Sequence, residues 1–98
     1  MAEIRWTREA ERWLGDIHEY ISADNPPAAR EVVRGIFDKA QTLRDFPQMG
    51  QLYRAVDEGE IRILLYGHYR IAYLLRAPDT VDILGVFHDA LQIERYLP

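Results

Sequence analysis

Ninety-eight residues make one domain, near the size at which a chain can just build a sufficient core alone. The hydrophobic fraction of 48% and charged fraction of 29% exclude a disordered tail, and the absence of cysteine excludes disulfides and thiolate nucleophiles. A formal net charge of −4 argues against the basic surplus with which nucleic-acid binders displace counterions from phosphates.

The charge is spread evenly. Residues 1–50 carry 7 basic and 9 acidic side chains and residues 51–98 carry 5 and 7, so each half is −2. Eleven of the cations are arginines and one is Lys39, so a locally basic patch for carboxylates or phosphates remains open within an acidic whole. The opening residues Met1-Ala2-Glu3-Ile4-Arg5-Trp6 lack the apolar stretch of a signal peptide, and no apolar run is long enough to span a bilayer. The expectation is a cytoplasmic protein with no membrane partner.

In chain order, Ala2–Trp6 reads as a short strand. Thr7 is placed to cap a helix reaching Ile21 or Ser22, with Ala10, Trp13, Leu14, Ile17, Tyr20 and Ile21 on one stripe and Glu9 and Glu11 at its positive end. Asn25 and Pro26 fit the cap and first position of a second helix, whose apolar face is Ala29, Val32, Val33, Ile36, Phe37, Ala40 and Leu43. Phe46-Pro47 should end it. The short link predicts an antiparallel helical hairpin.

The pattern then changes to period two. Gln51–Val56 is a strand, Asp57-Glu58-Gly59 a turn, and Ile61–Tyr66 and Arg70–Arg76 a pair of strands joined at Gly67-His68. Ala77-Pro78-Asp79-Thr80 turns again, Val81–Phe87 is the last strand, and Ala90–Leu97 supplies one or two closing helical turns. Because helices and strands do not alternate, the fold class is α+β: an antiparallel sheet of about four strands with a two-helix hairpin packed on one face, the other face left open. Trp13, Ile17, Val33, Phe37, Ile63, Ile71, Tyr73, Ile83 and Val86 are the expected core positions.

Catalytic chemistry is thinly provided for. Ser22, the only serine, sits at a helix end outside any nucleophile elbow, and the six glycines form no phosphate-cradling loop. His18, His68 and His88 have no metal-ligand spacing, so neither metal nor cofactor is expected. His18 reads as a solvated helix residue and His68 as a turn residue. His88, ending a strand, can act as an acid or base or simply hydrogen-bond the sheet, and the second account is the simpler. If Gly67-His68 is a two-residue turn, Tyr66 faces Tyr69, Arg62 faces Tyr73 and Arg70 faces Leu65. A one-residue slip would bring Arg62 and Arg70 to one face, so their role as exposed charges or as a binding pair stays open. Arg30 and Arg34, with Glu31 and Asp38, suit either a solvated helix face with internal ion pairs or a docking face.

These residues resemble a known family. Trp13-Leu14-Gly15-Asp16-Ile17-His18-Glu19-Tyr20-Ile21, Asn25-Pro26-Pro27-Ala28-Ala29, Leu43-Arg44-Asp45-Phe46-Pro47-Gln48-Met49-Gly50, Gly67-His68-Tyr69-Arg70-Ile71-Ala72-Tyr73 and Val81-Asp82-Ile83-Leu84-Gly85-Val86-Phe87-His88 are each weak alone. In this order, over nearly the whole chain, they are similar to the ParE/RelE toxin superfamily, most of all its ParE, plasmid-stabilisation branch. The resemblance implies a single toxin domain over residues 1–98 and a type II toxin–antitoxin system with a cognate ParD-like antitoxin. It implies two targets by branch: DNA gyrase, inhibited by binding, or mRNA on the ribosome, cut by an endoribonuclease. In the nuclease branch Arg62 and Arg70 would hold the phosphate, and His88 or Tyr96 would move protons. Many members continue after that histidine with arginines. Here the chain reads Asp89-Ala90-Leu91, which removes cations that would stabilise a phosphodiester transition state and favours gyrase. A degenerate, non-toxic member is the third alternative. The expected antitoxin dock is the helical hairpin together with a sheet edge, with Trp13, Arg30, Arg34, Arg62 and Arg70 as candidate partner contacts.

Overall fold

The structure, a computed structural model, describes residues 1–76 and 79–98. β1 (Glu3–Trp6) hands over to α1 (Arg8–Ser22) at Thr7, whose backbone is extended. The Thr7 Oγ1 accepts from the Ala10 N–H at 3.1 Å and donates to the Ile83 carbonyl at 2.7 Å. One side chain therefore satisfies a helix end and fastens that helix to a distant strand. Asn25 caps α2 (Pro26–Gln41) in the same manner, accepting from Ala28 N–H at 3.2 Å, and Pro26 takes the first helical position. α2 stops sooner than Phe46-Pro47. A 3-10 turn over Thr42–Arg44 tightens its end and buries Leu43, and Phe46 N–H closes on the Thr42 carbonyl.

Four further strands follow: β2 (Gln51–Val56), β3 (Gly59–Tyr66), β4 (Tyr69–Arg76) and β5 (Thr80–His88). The sheet order is β1-β5-β4-β3-β2. β2 to β5 form the expected antiparallel meander, but β1 adds a fifth strand that runs parallel to β5, so the sheet is mixed. The connection between this parallel pair runs through both helices and the strands β2 to β4, and β1 supplies partners for a β5 edge that would otherwise be bare. Gly67 has φ +57° while His68 does not adopt positive φ, the sign pattern of a II′ hairpin turn. That turn fixes the register as expected: Tyr66 opposite Tyr69, Leu65 opposite Arg70, Arg62 opposite Tyr73. Ala77 and Pro78 of the expected next turn lie outside the described residues.

A bulge then changes the parity of β5. Ala72 pairs with Gly85 and Tyr73 with Ile83, leaving Leu84 as the extra residue. Ile83 and Val86 are three apart, which strict alternation would split between faces, yet both join the helix-side core.

That core packs Ile36, Ala40 and Leu43 against Leu64, Ile71, Tyr73, Val81, Ile83 and Val86. The opposite sheet face is not left open. A second cluster there joins Ile61, Ala72 and Phe87 to Ile93 and Leu97 of the C-terminal segment, whose 3-10 turn spans Ile93–Arg95. Among the expected core positions, Ile71, Tyr73, Ile83 and Val86 are fully buried, and Trp13, Ile17, Val33 and Ile63 are half-buried. Phe37 is 43% exposed. The buried arc of α2 is Ala29, Ile36 and Ala40, with Val32 packed beside it. Val33 and Phe37 each sit one residue, about 100°, further round the helix, off the buried arc, where Phe37 meets Trp6 at the β1 edge of the sheet.

Candidate functional site

The outer side of the helical hairpin carries a groove. Leu14 and His18 of α1 and Arg30, Val33, Arg34, Phe37 and Asp38 of α2 line it. Its floor is apolar (Leu14, Val33 and Phe37), and Trp6 braces the Phe37 ring in a stack at 5.8 Å. Arg30 and Arg34, one turn apart and exposed, stand on its rim. The internal ion pairs expected for that face do not form: no carboxylate among the described residues comes within ion-pair distance of either guanidinium. An apolar floor with free cations at the rim is what an amphipathic segment bearing acidic residues would cover.

Arg62 and Arg70 lie on opposite faces of the sheet, as their register dictates. Arg62 Nη1 donates to the carbonyls of Gly50 at 2.7 Å and Gln48 at 3.1 Å, and its Nε pairs with Glu60 at 2.9 Å. The buried Tyr73 hydroxyl donates to the Pro47 carbonyl at 2.7 Å and accepts the Gly50 N–H at 2.9 Å. Together they clamp the loop after α2. Burial pushes the Tyr73 phenol above its ordinary pKa of 10.0, only partly offset by the Gly50 N–H and the Arg62 charge. The clamped loop leaves Phe46 and Met49 exposed, and Leu52 is exposed on the edge strand β2 that follows it.

Arg70 Nη2 donates to the Leu91 carbonyl at 2.5 Å and so holds the C-terminal segment to the sheet; its Nε is buried without a partner. His88, opposite Tyr69 at the end of β5, is half-exposed, with its Nδ1 3.1 Å from Ala90 N–H and 3.1 Å from Asp89 Oδ1. The Ala90 N–H donates to that nitrogen. His68 reaches Asp89 from the other side at 3.4 Å. Tyr96 packs face to face with Phe87 at 5.6 Å and edge-on to Trp13 at 5.1 Å. Trp13 also meets Phe87 edge-on at 4.7 Å, so it joins α1 to the C-terminal segment. Among the described residues no group of His, Asp or Glu is placed to hold a metal ion, and no helix is long and apolar enough to cross a membrane.

Two features escape sequence reasoning. Asp82 is the one buried charge among the described residues, held by Arg5 Nε at 2.9 Å and near Arg76 Nε at 3.1 Å. The Arg76 contact is close without being aligned as a hydrogen bond. The Arg5 contact is aligned, and that bond to the carboxylate raises the arginine's pKa further. An aspartate inside the apolar run Val81-Asp82-Ile83-Leu84 was the available signal, since a buried charge demands a partner. The other is a cleft between α1 and the ends of β4 and β5, lined by Trp13, Asp16, Ile17, Tyr20, Tyr69, Val86, His88 and Leu91.

The chain is similar to known proteins over most of its length. The family model described as ParE toxin of the type II toxin–antitoxin system parDE matches residues 4–92. A Sinorhizobium fredii protein named "Putative toxin Y4kP" is 38% identical over 85 residues, 87% of this chain and 85% of its own length. A solved chain of the chromosomal ParDE toxin–antitoxin system from P. aeruginosa superposes with a TM-score of 0.74 at 20% identity, covering 90% of this chain and 96% of that one. A chain of the toxin–antitoxin complex RelBE2 from Mycobacterium tuberculosis superposes with a TM-score of 0.66 at 26% identity, covering 89% and 96%.

Proposed function

The chain belongs to the ParE toxin family of type II toxin–antitoxin systems, and on that footing we propose that it acts by binding DNA gyrase rather than by cutting RNA, and that a ParD-like antitoxin neutralises it. The observation that carries the binding reading is the separation of Arg62 and Arg70. A ribonuclease needs cations converging on one phosphate, positioned before the charge develops. Here the two arginines point to opposite faces, and each donates to backbone carbonyls that hold a loop or the chain end. Asp89 sets a carboxylate beside His88, where an RNA backbone would be repelled.

The antitoxin reading is supported by the hairpin groove, by the exposed edge of β2, and by the two solved relatives being toxin–antitoxin systems. An apolar segment in the groove and a strand added at the edge are both ordinary ways for an extended partner to cover such surfaces. Primer extension on translated mRNA, in cells expressing the chain alone, tests binding against cleavage. Growth arrest without codon-linked cuts is expected. Cuts at defined codons that vanish in His88→Ala would overturn the binding reading in favour of the endoribonuclease.

A further inference from the structure

We propose that the cleft between α1 and the β4–β5 end is a receptor for a basic side chain, an arginine or lysine, carried by the antitoxin. The proposal rests on the toxin–antitoxin reading for the source of that side chain, but not for the chemistry of the site. The cleft encloses about 530 Å³, within the range of small-ligand sites. Among the described residues its lining includes the aromatic rings of Trp13, Tyr20 and Tyr69, the His88 imidazole and one carboxylate, Asp16. Aromatic faces attract a cation through their quadrupole, and a carboxylate at the mouth gives it a counter-charge.

Tyr20 is uncommitted, while Asp16 and Trp13 are met by the exposed Arg12 of their own helix, a contact that an incoming cation would share or replace. Tyr20 is 84% exposed although it continues the apolar stripe of α1, so neither core packing nor a hydrogen bond to the protein accounts for its position. Asp16 accepts no hydrogen bond. Its nearest cation is Arg12 Nη1 at 3.7 Å, and the Nη2 of that arginine is engaged by Glu9. Arg12 itself lies 5.7 Å from the Trp13 ring, a guanidinium–indole contact of the kind proposed for the incoming side chain. Burial, and the nearby Tyr20 hydroxyl after it, raise the pKa of the Tyr69 phenol and keep it neutral.

The source is argued from continuity. Leu14 and His18 line the hairpin groove, while Trp13, Asp16, Ile17 and Tyr20 line the cleft, so α1 is the ridge between two depressions. A segment lying over the groove reaches the cleft by crossing that one helix. The acidic net charge of the chain favours a cation arriving there over an anion.

The test has two arms, both read by NMR on the tyrosine rings and the Trp13 indole. In the first, the free protein is titrated with N-acetyl-arginine amide, N-acetyl-norleucine amide and N-acetyl-glutamate amide. Saturable shifts at Trp13, Tyr20 and Tyr69 are expected with the arginine compound, at least fivefold weaker with the others, and reduced at least threefold in Asp16→Asn. Tyr20→Ala, at an exposed position where folding is not at stake, should abolish them. Equal responses to norleucine, or none to arginine, would overturn the cation site. In the second arm the purified complex with the antitoxin is titrated. Loss of the response is expected. A response as strong as in the free protein would overturn the antitoxin as source, while the cation chemistry measured in the first arm would stand.

Discussion

Tyr73 shows how a single side chain can serve the core and a surface loop together. Its ring fills the helix-side core while its hydroxyl closes two hydrogen bonds with the loop at Pro47 and Gly50. Tyr73→Phe keeps the packing and leaves the Gly50 N–H buried without that partner, so a loss of about 1–3 kcal/mol is expected in urea unfolding. The phenol also makes stability depend on pH. Its folded pKa is raised, so its contribution is complete below the ordinary value of 10.0 and disappears as pH climbs through the folded value. Alkaline titration should therefore destabilise the protein from about pH 10 upward, less steeply in Tyr73→Phe; an unchanged slope would remove this residue from the account. Tyr69, raised by burial as well, supplies the part that remains. Neither the hydroxyl's partners nor the pH dependence was legible in the sequence, because Pro47 and Gly50 are 26 and 23 residues away.

At the scale of elements, local chemistry was the legible part. Thr7, Asn25 and Pro26 marked the helix starts, and Gly67-His68 fixed the β3–β4 register, because caps and tight turns are decided by neighbouring residues. What escaped depends on distant partners: the parallel docking of β1 on β5, the bulge at Leu84, and the C-terminal cover over Phe87. The apolar face assigned to α2 was wider than one sheet contact uses. Its excess, Val33 and Phe37, lines the hairpin groove. If the groove receives the antitoxin, charge reversal at both Arg30 and Arg34 should weaken the complex about tenfold or more, ~1.4 kcal/mol. Unchanged affinity in a calorimetric titration would leave the hairpin a structural role only. The turns make a sharper pair of tests. At Gly59, φ is +154° and an added Cβ would meet the Leu75 carbonyl oxygen at 2.1 Å, whereas at Gly67, φ +57°, it would meet nothing within 4 Å. Gly59→Ala should cost about 3 kcal/mol or prevent folding, and Gly67→Ala only about 1 kcal/mol. Similar costs for both would mean that the close backbone approach at Gly59 is not what constrains it.

The described residues form a small sheet with a core on each side, and they leave apolar side chains uncovered at the hairpin groove, at Phe46 and Met49 in the loop after α2, and in the aromatic cleft. A 98-residue chain with this much uncovered apolar surface gains from a partner, and saturating antitoxin at a hundred times its Kd should add about 2.7 kcal/mol to the stability of the folded toxin. Its catalytic resources are slight by comparison, with the two candidate phosphate-holding arginines on opposite faces. The central claim, toxicity by binding gyrase, is met most directly by a supercoiling assay with purified gyrase, relaxed plasmid and ATP. Inhibition that rises with toxin concentration and is reversed by the antitoxin is the result expected. Full supercoiling activity at a molar excess of toxin that still arrests growth in cells would contradict it.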